Sequence, residues 1–480
     1  MVFMPNRLTF VLSLVFSSLL FLTQVPPVSA SQVQECRIES SRNALVSLGF
    51  PLAPERLGNK KSVNVLVLPF RLADVPSYTF TEYFREDYIK ASQYIEQLSN
   101  GLVKVNLKFS DVIDVTYTSA DMVTLTINQQ KSWSDRDESK STWGFIRKLI
   151  QDIDSQVDFK DVDSVYLHGS SAARGSQIAE AMMFSANPTE PWFRPVKTSE
   201  GNIYNAVLMD RHQNSATIAH EILHNFGLTD LYGSSTSPEM LSLMSSNTIS
   251  LLSYEKWILG WLPDSRVQCL IEIRDIDQSN TSTRILMPND GLDNVLVIRT
   301  QEDRTALVIE TSTINQTGES DGQKFLSFYS LHNDQRPPIK MFMPTRSSKT
   351  IAIKVREGKN LETDAIGATI QADRYELIIT DINDSNFVLH LVPKGQTSNA
   401  ASLFEESVSN KKLAEIRELE KRMKAATVEV TKQDTETKNS DTIETVKSEP
   451  KKRVITCIKG DKLKKISAVK PKCPKGFKKK

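Results

Sequence analysis

The sequence predicts a mixed α/β domain, then a β-rich domain, then a disordered basic tail. Between residues 61 and 265, apolar runs of strand length alternate with apolar helical faces, which is the pattern of an α/β core. From residue 266 to residue 395, helical periodicity gives way to short strand-like runs separated by turn residues. Residues 396–450 read as a flexible charged linker, and residues 451–480 are rich in lysine.

An export signal precedes these domains. Arg7 is followed by an apolar run from Leu8 to Leu22 and then by the small residues of Val28-Ser29-Ala30, so residues 1–30 have the pattern of a signal peptide. This run is shorter than the roughly 20 residues that span a bilayer, and no later run reaches that length. Residue 31 is serine rather than cysteine, so no lipoprotein anchor is expected. Residues 31–60 would then be the N-terminal segment of a secreted protein without a transmembrane segment.

Strand and helix signals alternate in the α/β domain. The apolar run Val63–Phe70 predicts a buried strand, and the alternation from Val103 to Phe109 predicts another. One helical face between them ends at Ser99-Asn100-Gly101, and a second leads into a strand at Val165–His168. The apolar residues of the two faces are Tyr83, Phe84, Tyr88, Ile89, Ile95 and Leu98, and then Trp143, Phe145, Ile146, Leu149, Ile150 and Ile153.

The β-rich region predicts a β-sandwich or similar accessory domain, either a scaffold or a contributor to substrate binding. The linker contains no glycine and one aromatic residue, Phe404, so it cannot bury a core; Leu413 to Met423 would form one short helix in it. The predicted strands are Val295–Ile298, Ala306–Ile309, Phe325–Tyr329, Ile351–Val355, Tyr375–Ile379 and Phe387–Val392.

Four cysteines fit an exported protein, because none falls in a C-x-x-C pair and their even number allows two disulfides. Pairing by proximity to domain edges would join Cys36 to Cys269 and Cys457 to Cys473, although three connectivities are possible. In an alternative, Cys36 is a thiolate that ligates a metal and keeps an enzyme latent until the N-terminal segment is removed.

The tail carries most of the chain's positive charge. Residues 451–480 contain thirteen Lys or Arg residues against one acidic residue, Asp461, which gives a local charge of +12 in a chain whose net charge is +1. Such a segment is either a disordered, solvated end or a small module that binds anionic cell-surface polymers. Nothing in it indicates recognition of a specific nucleic acid.

The segment Ala219–Asp230 contains the residues of a metal-hydrolase site. In a helix that Asn214 or Ser215 would cap, His220 and His224 lie one turn apart on the same face, so both imidazoles can reach one Zn²⁺. Glu221 then has the place of a general base. Gly227 lets the chain turn, and Asp230 follows within reach of the same ion. The alternative is a core helix with two hydrogen-bonded histidines, which would need neither Glu221 nor the Gly and Asp.

The pattern HExxHxxGxxD resembles the metzincin clan, and within it the immune inhibitor A-like secreted metalloproteases. Leu241–Ser245 resembles the methionine turn of that family, and Tyr254–Leu262, which ends in Leu-Gly-Trp, resembles the segment after it. The resemblance covers residues 61 to about 330. Two departures concern loop shape: Thr229 stands where the family has proline, and no aromatic residue precedes the methionine turn.

The resemblance implies a metzincin-like fold and a zinc endopeptidase that acts on proteins or peptides. Met244 would form an apolar floor beneath the ligands His220, His224 and Asp230. A zinc-activated water would attack the peptide carbonyl, with Glu221 as general base. Tyr254 would stabilise the oxyanion through its hydroxyl, with the nearby Tyr232 as the alternative.

Three alternatives remain open at the level of sequence. In a gluzincin-like site the third ligand would be Glu239 or Glu255 in place of Asp230. In a non-enzymatic interpretation the protein is a surface adhesin with a structural or vestigial zinc site. Calcium is also possible, but the acidic cluster lacks a calcium-loop glycine and is expected to be a solvated loop. The cluster comprises Asp152, Asp154, Asp158, Asp161 and Asp163, and the other histidines, His168, His212, His332 and His390, are expected to be ordinary polar or core residues.

Overall fold

The computed structural model describes most of residues 30–417 and part of residues 453–479. Contacts divide the chain into two units, residues 1–415 and residues 416–480, each of which is described by itself. The predicted signal peptide and most of the predicted linker lie outside the described residues. The described residues are 30–40, 44–122, 141–170, 181–185, 194–209, 213–233, 238, 241–246, 250–276, 282–314, 323–342, 353–355, 366–372, 374–382, 385–394, 402–403, 405–417, 453–459, 462–468, 472–475 and 477–479.

A six-stranded sheet is the centre of the α/β region. It consists of β1 Ser62–Arg71, β2 Lys104–Phe109, β3 Ile113–Asp114, β4 Ser164–Gly169, β5 Ala181–Ser185 and β8 Asn205–Met209, while β6 Val196–Lys197 and β7 Asn202–Ile203 form a separate pair. The order is β2-β1-β4-β8-β5, with β3 beside the end of β1. All neighbours are parallel except β5, which is antiparallel to β8. Alternate residues of β1 enter different cores, which explains its continuous apolar run.

Helices cover both faces of this sheet, and further helices contact strands of the β-rich region. They are α1 Ala30–Glu35, α2 Glu82–Leu98, α3 Thr142–Asp152, α4 Ser215–Phe226, α5 Ser253–Ile258 and α6 Glu272–Asp275, with 3₁₀ turns at Leu57–Asn59 and Asp264–Arg266. Residues of α2 and α4 share one core, whereas α3 packs in the other. The helices α2 and α3 begin at Thr81 and Ser141, whose side-chain oxygens accept hydrogen bonds from backbone N–H groups of the first turn.

The N-terminal segment is attached to the helix α4 and to the β-rich region. Cys36 and Cys269 form a disulfide, which confirms the predicted pairing and shows that the alternative of a metal-ligating Cys36 thiolate is wrong. The backbone N–H of Ser47 donates to the carbonyl oxygen of Gly227 over 2.9 Å. The segment is therefore hydrogen bonded to the end of α4 as well as covalently linked to the β-rich region.

The β-rich region is a sandwich of two sheets, as the spacing of its apolar runs predicts. The first sheet comprises β9 Val267–Ile271, β11 Asn294–Arg299, β12 Thr305–Ile314, β13 Gln323–His332, β14 Ile339–Met341 and β15 Ile353–Val355, and the second comprises β10 Thr283–Pro288, β16 Thr369–Gln371, β17 Tyr375–Ile382 and β18 Asn386–Pro393. The first has the order β14-β13-β12-β11-β9, with β15 beside β13, and the second has the order β10-β18-β17-β16. Residues from both sheets share one apolar core.

The hydrophobic core continues across the predicted domain boundary at residues 265 and 266. Val295, Val297, Val308 and Tyr329 on the first sandwich sheet belong to the same buried cluster as the apolar side chains of α4. The alternating residues of the same strands, among them Leu296, face the second sheet of the sandwich. The first sheet is thus buried on both faces and packs directly on the α/β region.

The second unit contains a small sheet where the sequence predicts a disordered tail. Its strands β19 Arg453–Lys459, β20 Lys462–Ala468 and β21 Lys478–Lys479 pair antiparallel in the order β20-β19-β21. Cys473 is disulfide-bonded. The expectation of disorder is therefore wrong for these residues, and binding of anionic polymers stays a prediction.

Residues 405–417 are helical, which confirms the first part of the helix predicted from Leu413 to Met423; the rest of that segment lies outside the described residues. In the part of the chain that the structure describes, no helix is long and apolar enough to cross a membrane.

Candidate functional site

The amphipathic helix α4 presents the two histidines of the motif. The side-chain oxygen of Asn214 accepts a hydrogen bond from the backbone N–H of Thr217 over 3.0 Å, so the helix begins as the sequence predicts. Its apolar residues Ile218, Ala219, Ile222, Leu223 and Phe226 are buried in the core beneath. The histidines consequently lie on a fixed face of the helix, one turn apart.

Gly227 ends α4 in a conformation that suits only glycine. Its φ is +118°, and its N–H donates to the carbonyl oxygens of Leu223 and His224. A Cβ at this position would lie 2.7 Å from a methyl carbon of Leu52 and 3.3 Å from Cγ of Arg56. The turn that carries the chain towards Asp230 therefore depends on the absence of a side chain.

Replacing Gly227 with alanine is expected to destabilise the fold by about 2–4 kcal/mol, through backbone strain and the contact with Leu52. Thermal unfolding of the purified variant measures the loss. Gly233→Ala is the matched control, because Gly233 also has a positive φ, +102°, but a Cβ there would have no neighbour within 4 Å. Equal melting temperatures for the two variants would show that the packing around Gly227 has no special importance.

Two backbone carbonyls orient the imidazole rings. Nδ1 of His220 lies 2.8 Å from the carbonyl oxygen of Leu243, and Nδ1 of His224 lies 2.8 Å from that of Leu228. Because a carbonyl oxygen only accepts, each Nδ1 carries the proton and donates it. Both Nε2 atoms are thereby directed to the same region, which is the arrangement that second-sphere hydrogen bonds give to metal-ligating histidines.

Asp230 completes a three-atom cluster. Its Oδ1 lies 3.2 Å from Nε2 of His220 and 3.0 Å from Nε2 of His224. Two ligand atoms bound to tetrahedral zinc at 2.0–2.1 Å are about 3.3 Å apart, so the spacing and the donor set fit this ion. Two nitrogen donors and one carboxylate oxygen would leave a fourth position for water or substrate.

The electrostatics of the cluster favour opposite charges on its members. Burial lowers the pKa of His224, but the hydrogen bond to Asp230 and the charge of Asp230 outweigh burial and raise this pKa to about 9. Burial alone would raise the pKa of Asp230, yet the two imidazoles hold it well below its usual range. Asp230 is therefore an anion whose charge is directed at the two ring nitrogens.

Glu221 lies beside the cluster and is 8 % exposed. Ligand atoms of His220, Glu221 and His224 all lie within 4.8 Å of one another. Burial raises the pKa of the Glu221 carboxyl, and the charges of His224 and His220 oppose this effect. A carboxylate with a raised pKa accepts a proton from water more readily, which suits a general base.

The structure places Tyr232, rather than the predicted Tyr254, beside the histidines. The Tyr232 ring stacks on His220 with centroids 6.2 Å apart and is 54 % exposed. Tyr254 is fully buried, with its ring packed against Phe50 and Trp257. A side chain without solvent access cannot contact a bound peptide in this conformation, so the expectation for Tyr254 gives way to the alternative, Tyr232.

The segment expected to form the methionine turn lies against the site. Met244 is fully buried, and its carbonyl oxygen accepts a hydrogen bond from the N–H of Leu231, the residue after Asp230. The neighbouring carbonyl of Leu243 holds His220. The turn therefore fixes one histidine and the loop that carries Asp230, a role that the spacing of Met244 in the sequence does not reveal.

Glu255, the alternative third ligand, does not lie at metal-ligand spacing from the histidines. Its Oε2 accepts hydrogen bonds from Oγ of Ser242 over 2.7 Å and from N of Leu252 over 2.8 Å. Its side chain is fully buried in this role. The other alternative, Glu239, lies outside the described residues.

Buried Glu255 and Glu310 give the fold a predictable dependence on pH. Burial raises the pKa of Glu255 to about 8 and that of Glu310 to about 7, above the value of 4.5 for a free side chain. Between pH 4.5 and these values the folded state keeps protons that the unfolded state has lost, so stability falls as pH rises. We expect Glu255 to contribute at most about 3 kcal/mol of this loss between pH 5.5 and 8.

Melting temperatures at pH 5.5 and 8.5 measure this effect. Glu255→Gln replaces a titrating group by a neutral one of the same shape, so the decrease with pH should be smaller in this variant than in the wild type. The same decrease in both proteins would contradict the assignment.

The aspartates of the acidic cluster and the remaining histidines make ordinary structural contacts. Asp152 and Asp158 pair with Lys148 and Lys108, and Asp154 accepts from the backbone N–H of Ser199. Among the described residues, no group of three or more acidic, His or Cys side chains with metal-ligand spacing lies outside the segment Ala219–Asp230. Of the remaining histidines, His168 is buried beside Tyr88, His332 contacts Ser330, His390 contacts Ser282, and His212 lies outside the described residues.

Comparisons with known proteins give a distant structural likeness only. No family model matches the chain, and no curated protein matches it. Among solved structures, metalloproteinase-II from Bacteroides fragilis is 11 % identical with a TM-score of 0.26, over 48 % of this chain and 61 % of that one. A likeness at this level does not establish a shared family. The resemblance to the immune inhibitor A-like proteases therefore rests on the motif residues and remains a prediction.

Proposed function

We propose that the chain is a secreted zinc endopeptidase of the metzincin type, with His220, His224 and Asp230 as zinc ligands. The observation that carries this proposal is the convergence of both Nε2 atoms on Oδ1 of Asp230, at 3.2 and 3.0 Å. A pair of core histidines would not require a carboxylate within reach of both rings and a second one, Glu221, beside them. The Cys36–Cys269 disulfide supports export, because such bonds persist in oxidising compartments.

The chain's own residues have distinct tasks in the proposed reaction. Bound zinc would polarise the scissile carbonyl and lower the pKa of water towards about 7. Glu221 takes a proton from the attacking water and delivers it to the leaving amine. Burial and the carboxylates of Asp230 and Glu221 raise the pKa of Tyr232 to about 12, so its hydroxyl keeps its proton and can donate to the developing oxyanion.

Hydrolysis of unfolded casein by residues 31–480 tests this function. We expect about one zinc per chain, loss of cleavage when a chelator removes the zinc, and recovery when zinc is restored. Calcium added alone to the chelated protein is the control, since it favours all-oxygen sites and should not restore activity. Cleavage that persists in the zinc-free protein would contradict the proposal, and so would a zinc-loaded protein that cleaves no peptide bond in casein or in a peptide library.

A further inference from the structure

A buried carboxylate of the β-rich region holds the helix that follows the methionine turn. Glu310, on β12, accepts hydrogen bonds from the N–H groups of Ser253 and Tyr254, in the first turn of α5, over 3.0 and 2.9 Å. It also accepts from the hydroxyl of Tyr329 over 2.9 Å. All three donors bind one side chain that is fully buried, so the position of α5 is set from the sandwich sheet.

A second buried carboxylate connects the same helix turn to the methionine turn. Glu255 lies one residue after Tyr254, and its Oε2 binds both N–H of Leu252 and Oγ of Ser242. Oγ of Ser242 in turn accepts from the N–H of Met244 over 3.0 Å. The shape of the turn therefore depends on where α5 places Glu255.

The methionine turn then holds a histidine of the metal cluster. Leu243 lies between Ser242 and Met244; its N–H donates to the carbonyl oxygen of Ser250, and its own carbonyl oxygen accepts from Nδ1 of His220. A shift of this carbonyl would rotate the imidazole and move Nε2 away from the other two ligand atoms. Each contact from β12 to the ring is a hydrogen bond between buried or half-buried groups.

We propose that Glu310 is a positioning residue for His220, which acts through the first turn of α5, Glu255 and Ser242. The inference rests on the proposed role of His220 as a metal ligand and gives the β-rich region a task that its sequence does not suggest. The sandwich would then be part of the metal centre's support rather than an appended module. The shared core of the two regions is consistent with this role, because it keeps β12 fixed against the α/β region.

A purely structural function for Glu310 makes a different prediction. Removing a buried, hydrogen-bonded carboxylate leaves its buried donors without an acceptor, which destabilises the fold. Glu272 provides a matched control in the same region: it is 1 % exposed and accepts from the hydroxyl of Tyr375 over 2.7 Å and from N of Gln301 over 3.0 Å. These hydrogen-bond partners lie within the β-rich region and do not connect Glu272 to the methionine turn. Loss of stability should thus be common to both sites, whereas loss of metal affinity should not.

The test compares Zn²⁺ affinity, measured by competition with a fluorescent chelator, in Glu310→Ala and Glu272→Ala. We expect Glu310→Ala to weaken zinc binding about tenfold, at the lower end of the effects seen for groups that support metal ligands, and Glu272→Ala to change it less than twofold. Equal effects of the two substitutions, or none for Glu310→Ala, would overturn the proposal. If Glu310→Ala does not fold, Tyr329→Phe and Tyr375→Phe form the corresponding pair, because each removes one hydroxyl that donates to the carboxylate. Tyr329→Phe should then weaken zinc binding, by a smaller factor than Glu310→Ala, and Tyr375→Phe should not.

Two substitutions of Glu255 test whether its side-chain oxygen positions the methionine turn. Glu255→Gln keeps an oxygen for Ser242 and Leu252 and should bind zinc within twofold of the wild type, whereas Glu255→Ala should lose about tenfold. Equal affinities of these two variants would contradict the path through Glu255.

An NMR measurement on the zinc-free protein tests this inference independently of the proposed function. The proton on Nδ1 of His220, donated to Leu243, should give a slowly exchanging NMR signal in the zinc-free wild type and in Glu272→Ala, but not in Glu310→Ala. A signal that survives in Glu310→Ala would overturn the positioning role even if the wild type neither binds zinc nor cleaves peptides, whereas its selective loss would support the role in that case too.

Discussion

Glu221→Gln is expected to lower kcat for peptide hydrolysis by about 10²–10⁴-fold while about one zinc per chain remains bound. The amide has nearly the same shape as the carboxylate but cannot accept the proton of the attacking water. The side chain is largely buried beside the two histidines, so a substitute of equal volume should leave the helix intact. Single-turnover cleavage of a quenched fluorescent peptide, together with zinc content, measures both parts of this prediction.

Three outcomes decide the role of Glu221. Loss of activity with retained zinc assigns it to proton transfer, whereas loss of zinc together with activity would make it a ligand. Activity within a few-fold of the wild type would remove it from the mechanism. Asn225→Ala tests whether loss of helix packing alone mimics the effect, because buried Asn225 connects α4 to Ser164 and to the carbonyl of Phe184.

Asp230→Ala is expected to weaken zinc binding by about 10²–10³-fold. Structural zinc sites with four protein ligands bind with about 10–16 kcal/mol, which is roughly 2.5–4 kcal/mol for each ligand. Removal of Asp230 also leaves the two Nε2 atoms without their shared anionic neighbour. Competition titration with a chelator measures the change, and hydrolysis should fall in parallel at limiting zinc.

The glutamates proposed as alternative ligands provide the control. Glu255→Gln and Glu239→Gln should keep zinc, because the account gives neither residue a place on the ion. If Asp230→Ala kept zinc and either glutamine variant released it, the site would be of the gluzincin type. In the structure, Oε2 of Glu255 accepts hydrogen bonds from Ser242 and Leu252, which a movement of this side chain to the ion would break.

Local patterns in the sequence predict the helix α4 of the site and the strands β1 and β2 on either side of the helix α2. The apolar run at 63–70 corresponds to β1 Ser62–Arg71, and the helical face that starts at Tyr83 corresponds to α2 Glu82–Leu98. His220 and His224 share a face because three and four residues make one helical turn. Such features depend on neighbours in the chain, so periodicity and capping residues suffice to find them.

Contacts between distant parts of the chain are what sequence patterns do not reveal. The tyrosine beside the site is Tyr232, because the loop after Gly227 turns its ring onto His220, while the helix α5 buries Tyr254 in the core. Nothing around Glu310 in sequence indicates that its carboxylate meets the backbone of residues 253 and 254. Short strands such as β14 and β16 are likewise set by their partners rather than by their own apolar content.

The metal centre itself is tested most directly by anomalous X-ray scattering at the zinc edge from crystals of residues 31–480. The account predicts one strong peak, with Nε2 of His220, Nε2 of His224 and a carboxylate oxygen of Asp230 each about 2.0–2.2 Å from it and Glu221 outside the ligand shell. No peak at these residues, or a zinc ion held by Glu239 or Glu255 in place of Asp230, would contradict it.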